Sequence, residues 1–156
     1  MGEPALVVVA DVSDLDEVRA LFAEYAASLP VSLDFQGFDQ ELAGLPGDYA
    51  PPRGALLVAR VGDEVVGCVA LRPLDSVTCE MKRLFIRPSQ QRGGLGRQLV
   101  RAIVACGREL GYERMRLDTG PWMKAAHALY TEAGFREIPQ YTVNPVPRAR
   151  FLELDL

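Results

Sequence analysis

The chain reads as one α/β (α+β) domain in the order βααβββαβαββ, a mixed central sheet of about seven strands with about four helices packed against it. Three observations predict this class. Short apolar runs of strand character alternate with longer runs whose apolar residues recur at helical spacing. Two strand-like runs meet at Gly62-Asp63, a hairpin signal. Near the middle, a strand runs into a glycine-rich turn, a helix and another strand, which calls for a parallel crossover.

Taken in order, Ala5-Leu-Val-Val-Val-Ala10 is a buried strand. Ser13, with Asp16 three residues on, makes a variant capping box. Leu15, Val18, Leu21, Phe22, Tyr25 and Leu29 then fall on one face of a helix that stops at Pro30. Val31 to Leu42 reads as a loop leading into a short helix near 38–44, and Leu45 to Gly54 is turn-rich and irregular. Ala55–Val61 and Glu64–Leu71 are the arms of the hairpin. After a turn at Arg72–Asp75, Ser76–Ile86 adds a third strand, and Pro88 ends it. Leu95, Leu99, Ile103, Cys106 and Leu110 line one face of the helix that follows the glycines and ends at Gly111. Arg114–Asp118 is a short strand, and Trp122–Ala133 a helix closed by Gly134 at C′. A strand begins at Phe135–Ile138, and Phe151–Asp155 is the last, after the proline-punctuated loop Asn144-Pro-Val-Pro147. No repeat or linker interrupts this order, so residues 1–156 are expected to form a single domain.

Composition bounds the function. The net charge of −4 argues against binding nucleic acid over the whole surface. Its distribution is uneven. Residues 1–80 hold 4 Lys or Arg against 14 Asp or Glu, whereas residues 81–116 hold 9 against 2. Met1-Gly-Glu-Pro has no positive region of a secretory leader, and Ala5–Ala10 is too short to span a membrane. The three cysteines (Cys68, Cys79, Cys106) form no metal-ligand or C-x-x-C spacing and lie in apolar periodic segments, so they are expected to be buried and inert. A cytoplasmic protein without metal follows as the expectation.

The basic segment centres on Arg87-Pro-Ser-Gln-Gln-Arg-Gly-Gly-Leu-Gly-Arg97. Gly93, Gly94 and Gly96 free the backbone to curl and let a ligand approach it. Backbone N–H groups at the start of a helix form an anion site, and Arg92 and Arg97 add charge beside it. The stretch therefore reads as a pyrophosphate cradle. The spacing of its glycines is not the G-x-G-x-x-G of a dinucleotide turn.

With motif and topology together, the chain resembles the GCN5-related N-acetyltransferase (GNAT) superfamily from about Ala5 to the C-terminus. The family's (Gln/Arg)-x-x-Gly-x-(Gly/Ala) motif is matched by Gln91, Gly94 and Gly96. Its Ala-x-x-Leu-Tyr-x-x-x-Gly-Phe element is matched by Ala126, Leu129, Tyr130, Gly134 and Phe135. The resemblance implies acetyl-CoA as co-substrate. Its pyrophosphate would lie on Gln91, Arg92, Gly93, Gly94, Leu95, Gly96 and Arg97, and its pantetheine arm along the backbone of Leu84, Phe85 and Ile86, with Ala126 and Tyr130 also in contact. Six residues of strand, from Ile86 back to Glu80, span about 20 Å, comparable with that arm.

Acetyl transfer to an amine requires a base for the ammonium, polarisation of the thioester and protonation of the leaving thiolate. Strict alternation puts Glu80 on one face with Lys82, Leu84 and Ile86, at the position of the glutamate base of the histone-acetylating branch. Partial burial would raise its pKa and suit it to act through a water. The alternative is a structural carboxylate paired with Lys82 or Arg83. Tyr130 matches the family's general acid, with Leu129 and Trp122 supplying the core contact, or else is itself a core aromatic. Met123 departs from the asparagine that many relatives carry, His127 is expected to be solvated, and Cys79 points away from Glu80. The acidic and aromatic segment Ser28–Gly54 (Asp34, Phe35, Phe38, Asp39, Glu41, Asp48, Tyr49) would favour a cationic acceptor, and Tyr141 and Asn144 would line its pocket. The expected partner is a small-molecule or peptide amine, with no nucleic acid and no membrane, for a monomer or homodimer. A non-catalytic acetyl-CoA sensor is the rival reading.

Overall fold

The computed structural model describes residues 5–91 and 93–156. Its elements are β1 (Ala5–Val9), α1 (Leu15–Ser28), α2 (Phe38–Ala43), β2 (Ala55–Val61), β3 (Glu64–Pro73), β4 (Thr78–Ile86), α3 (Leu95–Glu109), β5 (Arg114–Thr119), α4 (Lys124–Ala133), β6 (Arg136–Glu137) and β7 (Arg150–Asp155). They reproduce the expected order. The seven strands form one mixed sheet, β1-β2-β3-β4-β5-β7-β6, antiparallel except between β4 and β5.

The central strands are buried on both faces, each face with its own apolar cluster, whereas β1, expected to be buried, is an edge strand that leaves Leu6, Val8 and Val9 exposed. Val18, Leu21 and Phe22 of α1, with Phe38, Leu45 and Tyr49, cover Leu56, Val58, Val65, Cys68 and Ala70 on one side. Leu95, Leu99, Val100, Ile103 and Val104 of α3 cover Leu57, Val66, Val69, Leu71 and Met81 on the other. Each fully buried aliphatic or aromatic side chain contributes about 1.5–3 kcal/mol. Tight packing thus fixes the strands that carry the site.

Two irregularities in β4 shape that site. The parallel ladder with β5 covers only Thr78↔Arg114, Cys79↔Met115 and Glu80↔Arg116, after which the two strands part. Against β3, Ala70 pairs with Lys82 and Cys68 with Phe85, so Arg83 and Leu84 together oppose Val69. This is a β-bulge, and Arg83 takes it up with a φ of +64°, rare for a side-chain-bearing residue. The extra residue resets the alternation. Arg83 and Phe85 face α1 and α2, together with Lys82, whereas Leu84 and Ile86 turn toward α3. The expectation that Glu80 and Lys82 share a face with Leu84 and Ile86 is corrected: period-two counting fails once a residue is inserted.

Other departures are local. The capping box is Asp11 with Asp14, not Ser13 with Asp16, because a 3-10 turn (Val12–Asp14) precedes α1. Trp122 lies outside α4 and is 37% exposed, its ring over Gly120 rather than in the core. Cys68 and Cys79 are buried, with thiols pushed up to about 12 by burial, while Cys106 is half-buried.

The start of α3 packs so closely that residue 96 has no room for a methyl group. A Cβ there would meet Leu129 Cδ1 at 2.8 Å and Ile86 Cδ1 at 3.2 Å. A Cβ at Gly93 would meet nothing nearer than 3.8 Å. Gly96→Ala is therefore expected to lower stability by about 1–2 kcal/mol in urea denaturation, and Gly93→Ala by no more than about 0.5 kcal/mol.

Candidate active site

The glycine-rich turn leads into α3 with Gly94 as the N-cap residue, at a φ of +81° with nothing within 4 Å of the place a side chain would occupy. Among the described residues, no side chain caps α3. Its first-turn amides therefore lack a side-chain cap at the positive dipole end, a feature of anion sites. Gln91 ties the turn to the strand end by donating from Nε2 to the Ile86 carbonyl at 3.0 Å. Leu95 and Gly96 are buried and offer only backbone, and Arg97 is held by Glu132 of α4 at 2.9 Å. Arg92 lies outside the described residues.

Where β4 and β5 part, a slot opens through the sheet. It is lined by Tyr25 of α1, Lys82, Arg83 and Leu84 of β4, Leu117, Asp118 and Thr119 of β5, Met123, and Tyr130 of α4. On the slot side, the β4 backbone beyond Glu80 has no strand partner, so its polar groups are available to an extended ligand with amides. Anion site, unpaired strand edge and slot follow one another along β4, and together they fit a long ligand with an anionic end and an amide-bearing arm. Tyr130 is buried, edge-on to Phe135, and burial raises its pKa, so the hydroxyl keeps its proton. Ala126 is half-buried against the α3-side core.

Glu80 is only 1% exposed, not partly buried as expected, and both of its oxygens are taken. Arg72 Nε donates to one at 2.9 Å, and the Tyr141 hydroxyl donates to the other. The predicted partners Lys82 and Arg83 are engaged elsewhere. Glu80 also belongs to a row of alternating charge across five strands. Arg72, Glu80, Arg116, Glu153 and Arg136 are successive cross-strand neighbours, and Arg116 and Arg136 each donate to Glu153 at 2.8 Å. Arg116 also lies under the Tyr141 ring, 5.4 Å from its centre.

Arg83 is buried and bonds Glu41 in bidentate fashion at 2.8 and 2.9 Å, and Gln36 Oε1 at 2.7 Å. Burial is the largest single influence and disfavours its charge, yet the bond to Glu41 and the neighbouring Glu41, Tyr49 and Tyr25 charges together raise its pKa. The acidity expected to attract a cationic acceptor is thus partly neutralised within the fold. Phe38 and Tyr49, counted there as site aromatics, are core residues. A cavity of about 270 Å³ does adjoin this segment, between Gln36, Gln40, Glu41, Asp48, Tyr49 and Arg72.

Lys82 is buried, donates to Gln36 Oε1 at 3.1 Å and stands 3.9 Å from Asp118 Oδ1 across the slot. Burial lowers its pKa. Asp118 Oδ2 accepts from Asn144 Nδ2 at 3.0 Å. Tyr141 and Asn144 thus reach the site by bonding two carboxylates, Glu80 and Asp118. Sequence reasoning missed Arg72, Gln36 and Asp118. For Asp118 a signal existed, since it sits at the carboxyl end of a parallel strand, where α/β sheets place their ligands. His127, expected to be solvated, is half-buried between Thr119 Oγ1 and Arg150, 3.1 Å from each.

Residues 17–135 match the family model described as the acetyltransferase (GNAT) family. An uncharacterized N-acetyltransferase of Schizosaccharomyces pombe is 40% identical over 92% of this chain and 89% of its own length. The IAA acetyltransferase of Azospirillum brasilense is 34% identical over 69% of this chain and 71% of its own. Among solved structures, a Staphylococcus aureus acetyltransferase of the GNAT family superposes with a TM-score of 0.80 at 19% identity, covering 97% of this chain and 99% of the other. A Salmonella typhimurium protein solved with its cofactor acetyl-CoA superposes at 0.76 and 20% identity, covering 98% and 94%. Among the described residues, no helix is long and apolar enough to cross a membrane.

Two stability measurements test these assignments. Arg83→Met strands the Glu41 carboxylate and is expected to cost about 3 kcal/mol in denaturant unfolding, whereas Arg97→Ala breaks an exposed pair and costs less than about 1 kcal/mol. Burial and Arg150 both lower the pKa of His127. The folded state therefore favours neutral imidazole, a contribution present above the usual histidine value of about 6.5 and lost as pH falls below it. The melting temperature is expected to fall between pH 7 and pH 5, and His127→Gln to shrink that fall.

Proposed function

The chain belongs to the acetyltransferase (GNAT) family, and on that premise we propose that it moves an acetyl group from acetyl-CoA directly to a primary amine of a small molecule or peptide. The observation that carries this reading is the continuity of anion site, unpaired β4 edge and through-sheet slot. The turn from Gln91 through Gly94 and the amides at the start of α3 would hold the pyrophosphate. The β4 backbone near Leu84, Phe85 and Ile86 would hold the pantetheine arm as a further strand. Acetyl-CoA supplies the activated acyl group.

Bound acetyl-CoA would fill the slot and displace water from it, which strengthens the polar interactions inside. The protein's own residues then have three tasks. Tyr130, its proton retained by burial, donates to the departing thiolate. Glu80, with both oxygens bonded, works by holding Arg72 and Tyr141 at the sheet centre rather than by reaching a proton itself. The reading of Glu80 as a base through a water thus gives way to a positioning role. The cavity beside Arg72, with Gln36, Gln40 and Asp48 on its walls, would receive the amine on the α2 side.

The test is thiol release from acetyl-CoA across a panel of primary amines, with acetyl-CoA affinity measured by calorimetry. Release with at least one amine is expected, and Tyr130→Phe should lower kcat by a factor of 10 or more, about 1.4 kcal/mol, at unchanged affinity. Tight acetyl-CoA binding with no amine-dependent release would make the protein a sensor and overturn the proposal.

A further inference from the structure

The slot contains a carboxylate that the reading above leaves unused. Asp118 is 6% exposed and stands on β5 just beyond the last residue paired with β4. Its Oδ2 is committed to Asn144. Its Oδ1 makes no hydrogen bond among the described residues, its nearest cation being Lys82 Nζ at 3.9 Å, a charge contact too long for a bond. Glu80 differs on each count: both oxygens are spent, and it does not line the slot. Asp118 does line it, in company with Tyr130.

Resting on the acetyl-transfer reading, we propose that Asp118 is the catalytic base, receiving on Oδ1 the proton that the acceptor nitrogen gives up. The free amine nitrogen attacks the thioester carbonyl carbon, so the C–N bond forms and the C–S bond breaks. The proton from nitrogen passes to Asp118 Oδ1, and the thiolate takes one from the Tyr130 hydroxyl. Transfer from Asp118 back to Tyr130, directly or through solvent, resets both groups, and the balance is amine plus thioester to amide plus thiol. Asn144 fixes the rotamer of Asp118. Lys82 stands 3.9 Å from Oδ1, and a positive charge there favours the neutral, nucleophilic form of an amine placed beside it. Tyr25 from α1, Tyr130 from α4, Tyr141 from the loop before β7 and Lys82 from β4 are the other titratable groups facing Asp118.

Asp118→Asn and Asp118→Ser, made in parallel and compared with the unaltered protein, test this. Each should lower kcat at least 100-fold, in the range general-base catalysis supplies. Acetyl-CoA affinity should stay within about threefold (below about 1 kcal/mol). Added formate should restore the serine variant at least tenfold, which a structural role for Asp118 would not allow. A folded variant that keeps more than a third of the kcat, or a loss that formate leaves untouched and that follows lost acetyl-CoA binding or failure to fold, overturns the assignment. If the unaltered protein acetylates no amine, the acetyl-transfer reading fails with it. If it does and Asp118→Asn matches it, only the base assignment falls.

Discussion

The site depends on one ion pair. Arg83 occupies a left-handed backbone position that ordinarily suits glycine, and its guanidinium is clamped by Glu41 of α2 and by Gln36. The bond geometry offsets both the backbone strain and the desolvation of a buried charge. Because Arg83 is held there, β4 carries an extra residue and turns away from β5, and the sheet opens. The same contact ties α2 to the sheet beside the opening. The slot, the unpaired strand edge and the wall of the adjoining cavity therefore share a single anchor.

Around that opening the fold concentrates buried charge, and it does so in balanced sets. The row from Arg72 to Arg136 alternates sign strand by strand, so each carboxylate lies between two cations. Lys82, Asp118, Asn144 and Gln36 form a second set that bridges the gap where backbone pairing stops. The two sets divide the work. The saturated row holds five strands and the Tyr141 loop in register, and the looser set leaves donors and one acceptor oxygen directed at the slot. A group with every valence satisfied can orient its neighbours, but only one with a valence to spare can exchange a proton.

Much of the fold was legible in the sequence, because apolar spacing and glycine punctuation report local backbone state directly. The hairpin at Gly62, the long α3 and the crossover into β5 all follow from residues close together in the chain. The site was legible only in part. Gln91, Gly94 and Tyr130 stand in short motifs, and their setting in turn and helix follows from neighbours. The bulge does not, since an arginine with positive φ carries no compositional mark, and overlooking it placed Leu84 and Ile86 on the wrong face. Glu80 with Tyr141 and Asp118 with Asn144 are pairs made across loops, and local pattern cannot choose such partners. Trp122 was assigned to the core on hydrophobicity, and the turn at Gly120 kept it outside.

The bare start of α3 has a further consequence. A serine or aspartate at the N-cap would stabilise a free helix by about 1 kcal/mol, yet the chain places Gly94 there, with no side chain to close the first turn. On the proposed reading, the helix is left for an anion to finish. Ligand binding and helix completion thus become one equilibrium, in which each occupied molecule gains stability in proportion to the free concentration of its ligand. A supply of the acyl donor would set the lifetime of the folded enzyme as well as its rate, and a chain starved of donor would be the first to unfold.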